Sequence, residues 1–576
     1  MQRIDDAGNL LPEYSSLEGG SDHELVNQEI TQRALLDQTT TRSQATLPAG
    51  DLAGGVDHDL WQHSDNSQRS SAQESNKLRI LAIGTAIFLL AALPRLYVLF
   101  EVTDPQNPGL GWYGDVFHHW QIAYLSDEVG FSESFLRLWD FKGMEFFWGL
   151  LHPLVLIGLF TITGSVDIVI LRLLSLLAAS ASIALLFFLL KRYFNRNVAI
   201  AGALIAALNP VAVFNDTVGM QEPLGLLLLF TGLVIIDRHP VFAGILWGLA
   251  GMVRAEYWVF GAGLVVVAFL LNKKNDWKIA LGMGWAIPSL AYMKYLLDYT
   301  GNPIYPIYWN YLGGTAGLWM VEAPLELDQI IAQWTARIVL VVAAYAAIRI
   351  LRSRPESTLV LMLGLGNIIM LGLVLGVGAY IYGYSPRINV DRLMVVPFMF
   401  VGVFVAIAVF GRGSEDRSTR ARTRTVAGWL AVVALILGIQ SIWLPLVNYY
   451  EPLQSVWARE VRMADEIGRY YDKGTISIPE DRPGLTYALV QYHGISGSNI
   501  DGQMYDAFAY ISGDPFEDWD SNREIVLDWL EKTGVRFLVV YRSDAEYMEL
   551  VNREPNMFRL LEVLYEGSIN LYGVGL

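Results

Sequence analysis

Long apolar runs dominate this sequence, and each leaves its backbone one way to sit in lipid. Hydrocarbon offers no hydrogen-bond partner, so a segment that crosses it must bond internally as a helix. About 20 apolar residues, each rising about 1.5 Å, make one crossing. The first run is Leu78 to Val102. Val166 to Leu190, Val198 to Phe214, Gly219 to Ile236, Val241 to Leu271 and Ile279 to Leu296 come next. Ile330 to Leu351, Leu359 to Tyr380, Leu393 to Phe410 and Val426 to Val447 complete the series. Only 17% of the residues are charged, and the mean hydropathy is +0.35. A soluble chain carries more charge. The sequence therefore predicts a polytopic α-helical membrane protein.

Basic loops set the orientation, because Lys and Arg collect on the cytoplasmic side. Lys77 and Arg79 flank the start of the first run and place the N-terminus in the cytoplasm. Two segments need a decision. Val241 to Leu271 is too long for one ordinary span and is interrupted by Arg254, Glu256 and Trp258. We read it as two short helices turning at Arg254-Ala255-Glu256. Met144 to Thr163 either spans or lies at the interface. If it lies at the interface, every basic cluster falls inside: Lys191/Arg192/Arg196, Arg238, Lys273/Lys274/Lys278, Arg349/Arg352/Arg354 and Arg412 to Arg424. That solution has about eleven spans and an outward C-terminal end.

The expected organisation is a polar, disordered cytoplasmic tail over 1–76, a transmembrane domain over 77–447 and a soluble domain over 448–576. Juxtamembrane helices are expected within 103–165. No apolar h-region opens the chain, so no cleavable signal peptide is expected. The C-terminal segment reads as α/β. Thr475 to Ile478 and Phe537 to Tyr541 are strand-like, and Arg523 to Lys532 has the apolar spacing of an amphipathic helix.

Composition excludes several function classes. There are no cysteines, so disulfides and thiolate metal sites are absent. A net charge of -16 argues against a nucleic-acid partner. No glycine-rich nucleotide motif appears, so a soluble nucleotide-sugar site has no support.

The orientation gathers polar residues from distant loops on the outer face. Asp115 stands in Gly-Trp-Tyr-Gly-Asp-Val-Phe-His-His-Trp, just after the first span. A carboxylate there suits a general base, and it equally suits the cap of the helix after it. Asp115, His118 and His119 have the i, i+3, i+4 spacing of one helix face. That face suits a divalent metal ion or polar groups lining an aqueous cavity. Glu222, after Gly219-Met220-Gln221, is a second acid or a favourable charge at a helix N-terminus, and Asp216 competes for the same role. Arg254 and Glu256 either pair with each other or leave Arg254 to reach a phosphate. Arg387 and Arg392 lie on the outer side, against the charge trend. An anionic lipid carrier or plain headgroup anchoring accounts for them.

Taken in order, these features resemble the GT-C superfamily of polyprenyl-phosphate-dependent glycosyltransferases, of the protein mannosyltransferase and aminoarabinose transferase type. Gly114-Asp115 in the first outer loop carries the likeness. So do His152-Pro153 followed by Arg172, the stretch Gly219 to Leu224 and the stretch Gly248 to Glu256. The resemblance implies a donor of the dolichyl- or undecaprenyl-phosphate sugar type and an inverting transfer to an extracytoplasmic protein, glycan or glycolipid. It implies that Asp115 is the base and Glu222 a second acid. Arg254, Arg387 and Arg392 would face the donor phosphate, and His118, His119, His152 and Glu256 would line the substrate cavity. No cofactor is required, though a divalent metal remains an option. The chain departs from the family at His152-Pro153-Leu154, where a double proline is common. The Trp-Trp-Asp signature of oligosaccharyltransferases is absent. A lipid-linked-sugar flippase and an oligosaccharyltransferase-like enzyme are the alternatives.

Overall fold

The computed structural model describes residues 62–107, 115–129, 148–271, 274–308, 395–411, 419–479, 482–502 and 519–575. The chain divides into a unit Met1–Gln73 and a unit Glu74–Leu576, and the second unit holds the apolar helices and the sheet. The runs expected over Ile330 to Leu351 and Leu359 to Tyr380, and residues 1–61 of the expected tail, lie outside the described residues.

Among the described residues the apolar runs are helices. Helix α1 (Gln62–Tyr97) ends in a π-helical turn, Val98–Val102. α2 is Asp115–Val129, α3 Leu151–Thr163, α4 Ile168–Tyr193, α5 Arg196–Ala207, α6 Pro210–Val218 and α7 Glu222–Ile235. α8 is Pro240–Gly251, α9 Ala255–Leu271, α10 Asn275–Thr300, α11 Val395–Phe410 and α12 Thr419–Ile439. Among the described residues, Leu78–Val102, Ile168–Tyr193 and Arg422–Ile439 are long and apolar enough to cross a membrane. α5 and α6 together form a further candidate, bent by 57°.

Local chemistry sets these boundaries. The Asp167 carboxylate accepts from Val169 N and caps α4, which closes on Lys191 and Arg192. Asn195 and Asn209 cap α5 and α6 in the same way, and Pro210 fixes the first turn of α6. The bend between those two helices falls at that cap. The long apolar run beginning at Val241 does split: α8 stops at Gly251 and α9 starts at Ala255. α3 has 13 residues and rises about 20 Å, short of a bilayer core near 30 Å. That length fits an interfacial helix rather than a span.

Small residues let the helices approach. A Cβ on Gly244 of α8 would lie 2.4 Å from Leu281 O of α10, and one on Gly284 would lie 2.1 Å from Val241 O. Only glycine tolerates backbone at that range. Leu430, Val433 and Leu437 leave an apolar face of α12 exposed, as lipid contact requires.

Helix α13 (Trp443–Tyr470) runs through the expected boundary at 447/448 and leads into an α/β unit. Its strands are β1 (Thr475–Ile478), β2 (Ile500–Gly502), β3 (Val535–Tyr541), β4 (Phe558–Leu564) and β5 (Ile569–Val574). They form one sheet in the order β2-β1-β3-β5-β4. β1 pairs parallel with β2 and β3, while β5 pairs antiparallel with β3 and β4. Helices α14 (Pro483–His493), α15 (Trp519–Lys532) and α16 (Ala545–Arg553) are the connections.

The period of two along β3 divides the core. Leu538 and Val540 pack with Val526, Leu530 and Leu550 on one face. Phe537 and Val539 belong to the other core, which continues through Met463 and Leu485 to Phe117 and Trp120 of α2. Phe117 stacks on Trp457 at 5.0 Å, and Trp120 meets Tyr487 edge-on at 4.8 Å. Gln121 Nε2 donates to Thr486 Oγ1 at 2.7 Å, and Gly497 N donates to Tyr124 OH at 3.0 Å. The sheet domain is thus the bed on which α2 lies, and α2 begins at Asp115.

Candidate active site

The break between α8 and α9 organises the site. Its backbone takes one neighbour, because Leu151 N donates to Met252 O at 2.9 Å. Gly149 makes that docking possible: its φ is +102°, and a Cβ there would lie 2.6 Å from Met252 O. The side chain of Arg254 takes two more. Its Nη1 donates to Glu222 Oε1 at 2.7 Å. Its Nε and Nη2 donate to the two oxygens of Glu256 at 2.9 and 2.7 Å. Arg254 and Glu222 expose only 8% and 7% of their side chains, whereas Glu256 exposes 22%. The Asp115 carboxylate, half-buried at the start of α2, is a third acid within electrostatic reach of this guanidinium.

Three acids from three separate segments therefore surround one arginine. Formally they carry three negative charges against one positive. The tertiary structure brings together Asp115, Glu222, Arg254 and Glu256, as expected from the loop charges. Arg254 pairs with Glu256, one of the two readings its place in the sequence allowed. Three of its five N–H donors are spent on carboxylates, which makes it the clamp of the acid cluster. Tyr257 OH donates to the Glu222 carbonyl at 2.7 Å and holds the start of α7. Gly225 admits that ring, since a Cβ there would lie 2.3 Å from it.

His118 lies within electrostatic reach of Asp115. His118 and His119 pack on Trp148 with ring centroids at 4.9 and 5.2 Å. His119 also meets His152 edge-on at 5.2 Å. Burial pushes the His118 imidazole down to about 4, although Asp115 acts to raise it. Burial alone pushes His152 down to about 3. Both shifts favour neutral rings near pH 7. Among the described residues no group of three or more His, Cys, Asp or Glu is placed to hold a metal ion. Asp115, His118 and His119 are not gathered into such a group. His119 turns toward Trp148 and His152, and helix spacing alone did not fix that direction.

Asp216, the rival to Glu222, is committed elsewhere. It forms a buried ion pair with Arg95 at 2.8 Å, tying α6 to α1. The signal was available, as Arg95 breaks the first apolar run. Arg172 was singled out only through a motif, yet it anchors the frame. Its guanidinium donates to the carbonyls of Asp104, Pro105 and Thr217 and to Thr103 Oγ1 at 2.6–2.8 Å. It thus fixes the chain leaving the first span and the chain entering α7. Trp148 and Tyr257 carried no sequence signal beyond being aromatic. Arg387 and Arg392 lie outside the described residues.

No curated protein matches the chain by sequence. Several solved structures are similar to the chain at low identity. The Archaeoglobus fulgidus oligosaccharyltransferase AglB, in complex with an inhibitory peptide and a dolichol-phosphate, is 11% identical, covering 85% of this chain and 74% of its own, with TM-score 0.48. ArnT from Cupriavidus metallidurans is 12% identical over 87% of this chain and 98% of its own, with TM-score 0.43. The mycobacterial arabinofuranosyltransferase AftD is 14% identical over 85% and 42%, with TM-score 0.41. Residues 149–292, which carry His152, Glu222, Arg254 and Glu256, match the sequence profile of the family described as Dolichyl-phosphate-mannose-protein mannosyltransferase, and this match bears out the resemblance to the GT-C glycosyltransferases.

Proposed function

We propose that the chain transfers a sugar from a polyprenyl-phosphate donor, of dolichyl or undecaprenyl type, to an acceptor on the outer face of the membrane. The observation that carries this reading is the cluster of Asp115, Glu222 and Glu256 around Arg254, within the stretch that matches the mannosyltransferase family or electrostatically coupled to it. The N-terminus is cytoplasmic and the sheet domain over 448–576 is extracytoplasmic. The transmembrane domain over 77–447 has about eleven spans, an orientation that rests on the basic loops.

Asp115 takes the proton of an acceptor hydroxyl as its oxygen attacks the anomeric carbon. The bond from that carbon to the phosphate oxygen breaks on the opposite face, through an oxocarbenium-like state, so the configuration inverts. The electron pair leaves with the polyprenyl phosphate, which needs cations rather than an acid. Arg387 and Arg392 are the candidates. Glu222 and Glu256, held by Arg254, orient the acceptor or the sugar beside the base. The protein, glycan or glycolipid nature of the acceptor follows from the family resemblance alone. A transporter reading leaves an acid cluster of this geometry without a task.

The test uses the purified protein in nanodiscs with radiolabelled polyprenyl-phosphate mannose and an envelope extract as acceptor source. Label should pass to the acceptor. Asp115→Asn should cut the rate by roughly 10²- to 10⁴-fold. Unchanged turnover in a folded Asp115→Asn protein would sink the assignment of the base.

A further inference from the structure

Glu222 opens α7, and the residue before it, Gln221, makes no side-chain capping bond. The connection from α6, residues 217–221, is shaped instead by one face of α4. Gly219 takes a φ of +106°, and a Cβ there would lie 2.3 Å from Leu171 Cδ2 and 3.1 Å from Arg172 Cγ. Arg172 Nε donates to the Thr217 carbonyl at 2.8 Å. Ser175 Oγ, one turn along the same face, donates to the Met220 carbonyl. Arg172, Ser175, Thr217 and Met220 are all buried. The backbone that delivers Glu222 therefore lies in a cradle built by α4.

The start of α4 also holds α2. Trp120 Nε1 of α2 donates to the Val166 carbonyl at 2.6 Å, beside the Asp167 cap of α4. The other donors of Arg172 go to Thr103 Oγ1 and to the carbonyls of Asp104 and Pro105, on the chain leaving the first span. Residues 166–175 thus grip both the helix that begins at Asp115 and the turn that ends at Glu222. These two acids share the surroundings of Arg254. We infer that Arg172 and Ser175 are positioning residues of the transfer, which act through the 217–221 turn to set where Glu222 stands relative to Asp115. The inference rests on the roles proposed for those two acids. A guanidinium suits the task because its rigid, planar fork reaches three carbonyls and a hydroxyl at once, which a lysine ammonium cannot. A misplacement of about 1 Å near reacting atoms can cost on the order of 10²-fold in rate. The loss should fall on kcat and spare KM, since neither residue binds the substrate.

The experiment compares Ser175→Ala and Arg172→Lys with wild type in nanodiscs. It reads amide hydrogen exchange of the peptide covering 217–222, and transfer from polyprenyl-phosphate mannose to acceptors in an envelope extract. Gly284→Ala, which crowds α10 against Val241, is the stability control. Exchange at 217–222 should quicken by about tenfold or more in both variants, with exchange in α8 unchanged. Their kcat per folded molecule should fall by about tenfold or more at constant KM for the lipid donor. Gly284→Ala should melt at a lower temperature and keep its kcat. Unchanged exchange at 217–222 overturns the cradle. Faster exchange with an unchanged kcat, or a raised KM at constant kcat, overturns the positioning role. An equal loss of kcat in Gly284→Ala reduces the effect to general stability and also overturns it. Wild type that passes no label, while exchange responds as expected, overturns the lipid-phosphate reading and leaves the cradle a structural duty alone.

Discussion

Replacing Arg254 by methionine should be among the most damaging single changes in the membrane domain. The substitution keeps volume and helix compatibility but deletes three hydrogen bonds of 2.7–2.9 Å. Glu222, with 7% of its side chain exposed, loses its Arg254 partner. Breaking a buried ion pair from one side costs about 3–5 kcal/mol, because the surviving charge stays buried. Glu256, 22% exposed, can turn to water and adds less. Arg254→Met should therefore cost about 3–5 kcal/mol. Glu222→Gln keeps an acceptor oxygen and should cost about 1–3 kcal/mol. The two together should cost less than their sum by about 1–3 kcal/mol, since the double variant no longer buries a carboxylate that has lost its Arg254 partner. Equilibrium unfolding in mixed micelles reads all three. Strictly additive costs, or a loss below about 1 kcal/mol for Arg254→Met, would refute the clamp.

The same geometry has other consequences. Gly284→Ala forces a Cβ to 2.1 Å from Val241 O, and overpacking of that kind should cost about 1–3 kcal/mol, read as a lower melting temperature. Phe117→Ala removes a fully buried ring stacked on Trp457 and should cost about 3–5 kcal/mol, with faster proteolysis of the sheet domain if α2 is its seat. His118 and His152 are held below their usual 6.5, so the unfolded chain binds more protons than the folded one between 6.5 and about 4. Stability should then rise with pH through that window and fall on acidification. The slope should approach roughly 1.4 kcal/mol per pH unit for each ring, and His152→Phe should flatten it. Unfolding curves across the window check this, and a pH-independent stability would contradict the burial of the rings.

Much of the architecture was legible in the sequence because membranes impose a one-dimensional rule. Backbone satisfaction in lipid turns apolar runs into helices whatever their neighbours are. The break near Arg254 was readable for the same reason, since a charge pair inside a long apolar run has to leave hydrocarbon. The two strands and the helix marked in the C-terminal segment appear where β-branched and amphipathic patterns placed them. The loop charges pointed to Asp115, Glu222, Arg254 and Glu256 as one set, and these four side chains do come together.

The partners of each group were not legible, because spacing along a helix says nothing about what lies across from it. Asp216 and Glu222 look alike in sequence, and only packing gives Arg95 to one and Arg254 to the other. Arg254 reads equally as a phosphate ligand or a clamp until its fork meets two carboxylates. The seating of α2 on the sheet domain joins residues hundreds of positions apart, through Gln121 to Thr486 and Tyr124 to Gly497. The sequence by itself pointed to a membrane chain and to the residues that gather around Arg254. The tertiary structure decided which acid is clamped and which is spent on a structural pair. The physical reason is that burial and distance, not residue type, set what a charged or polar group can do.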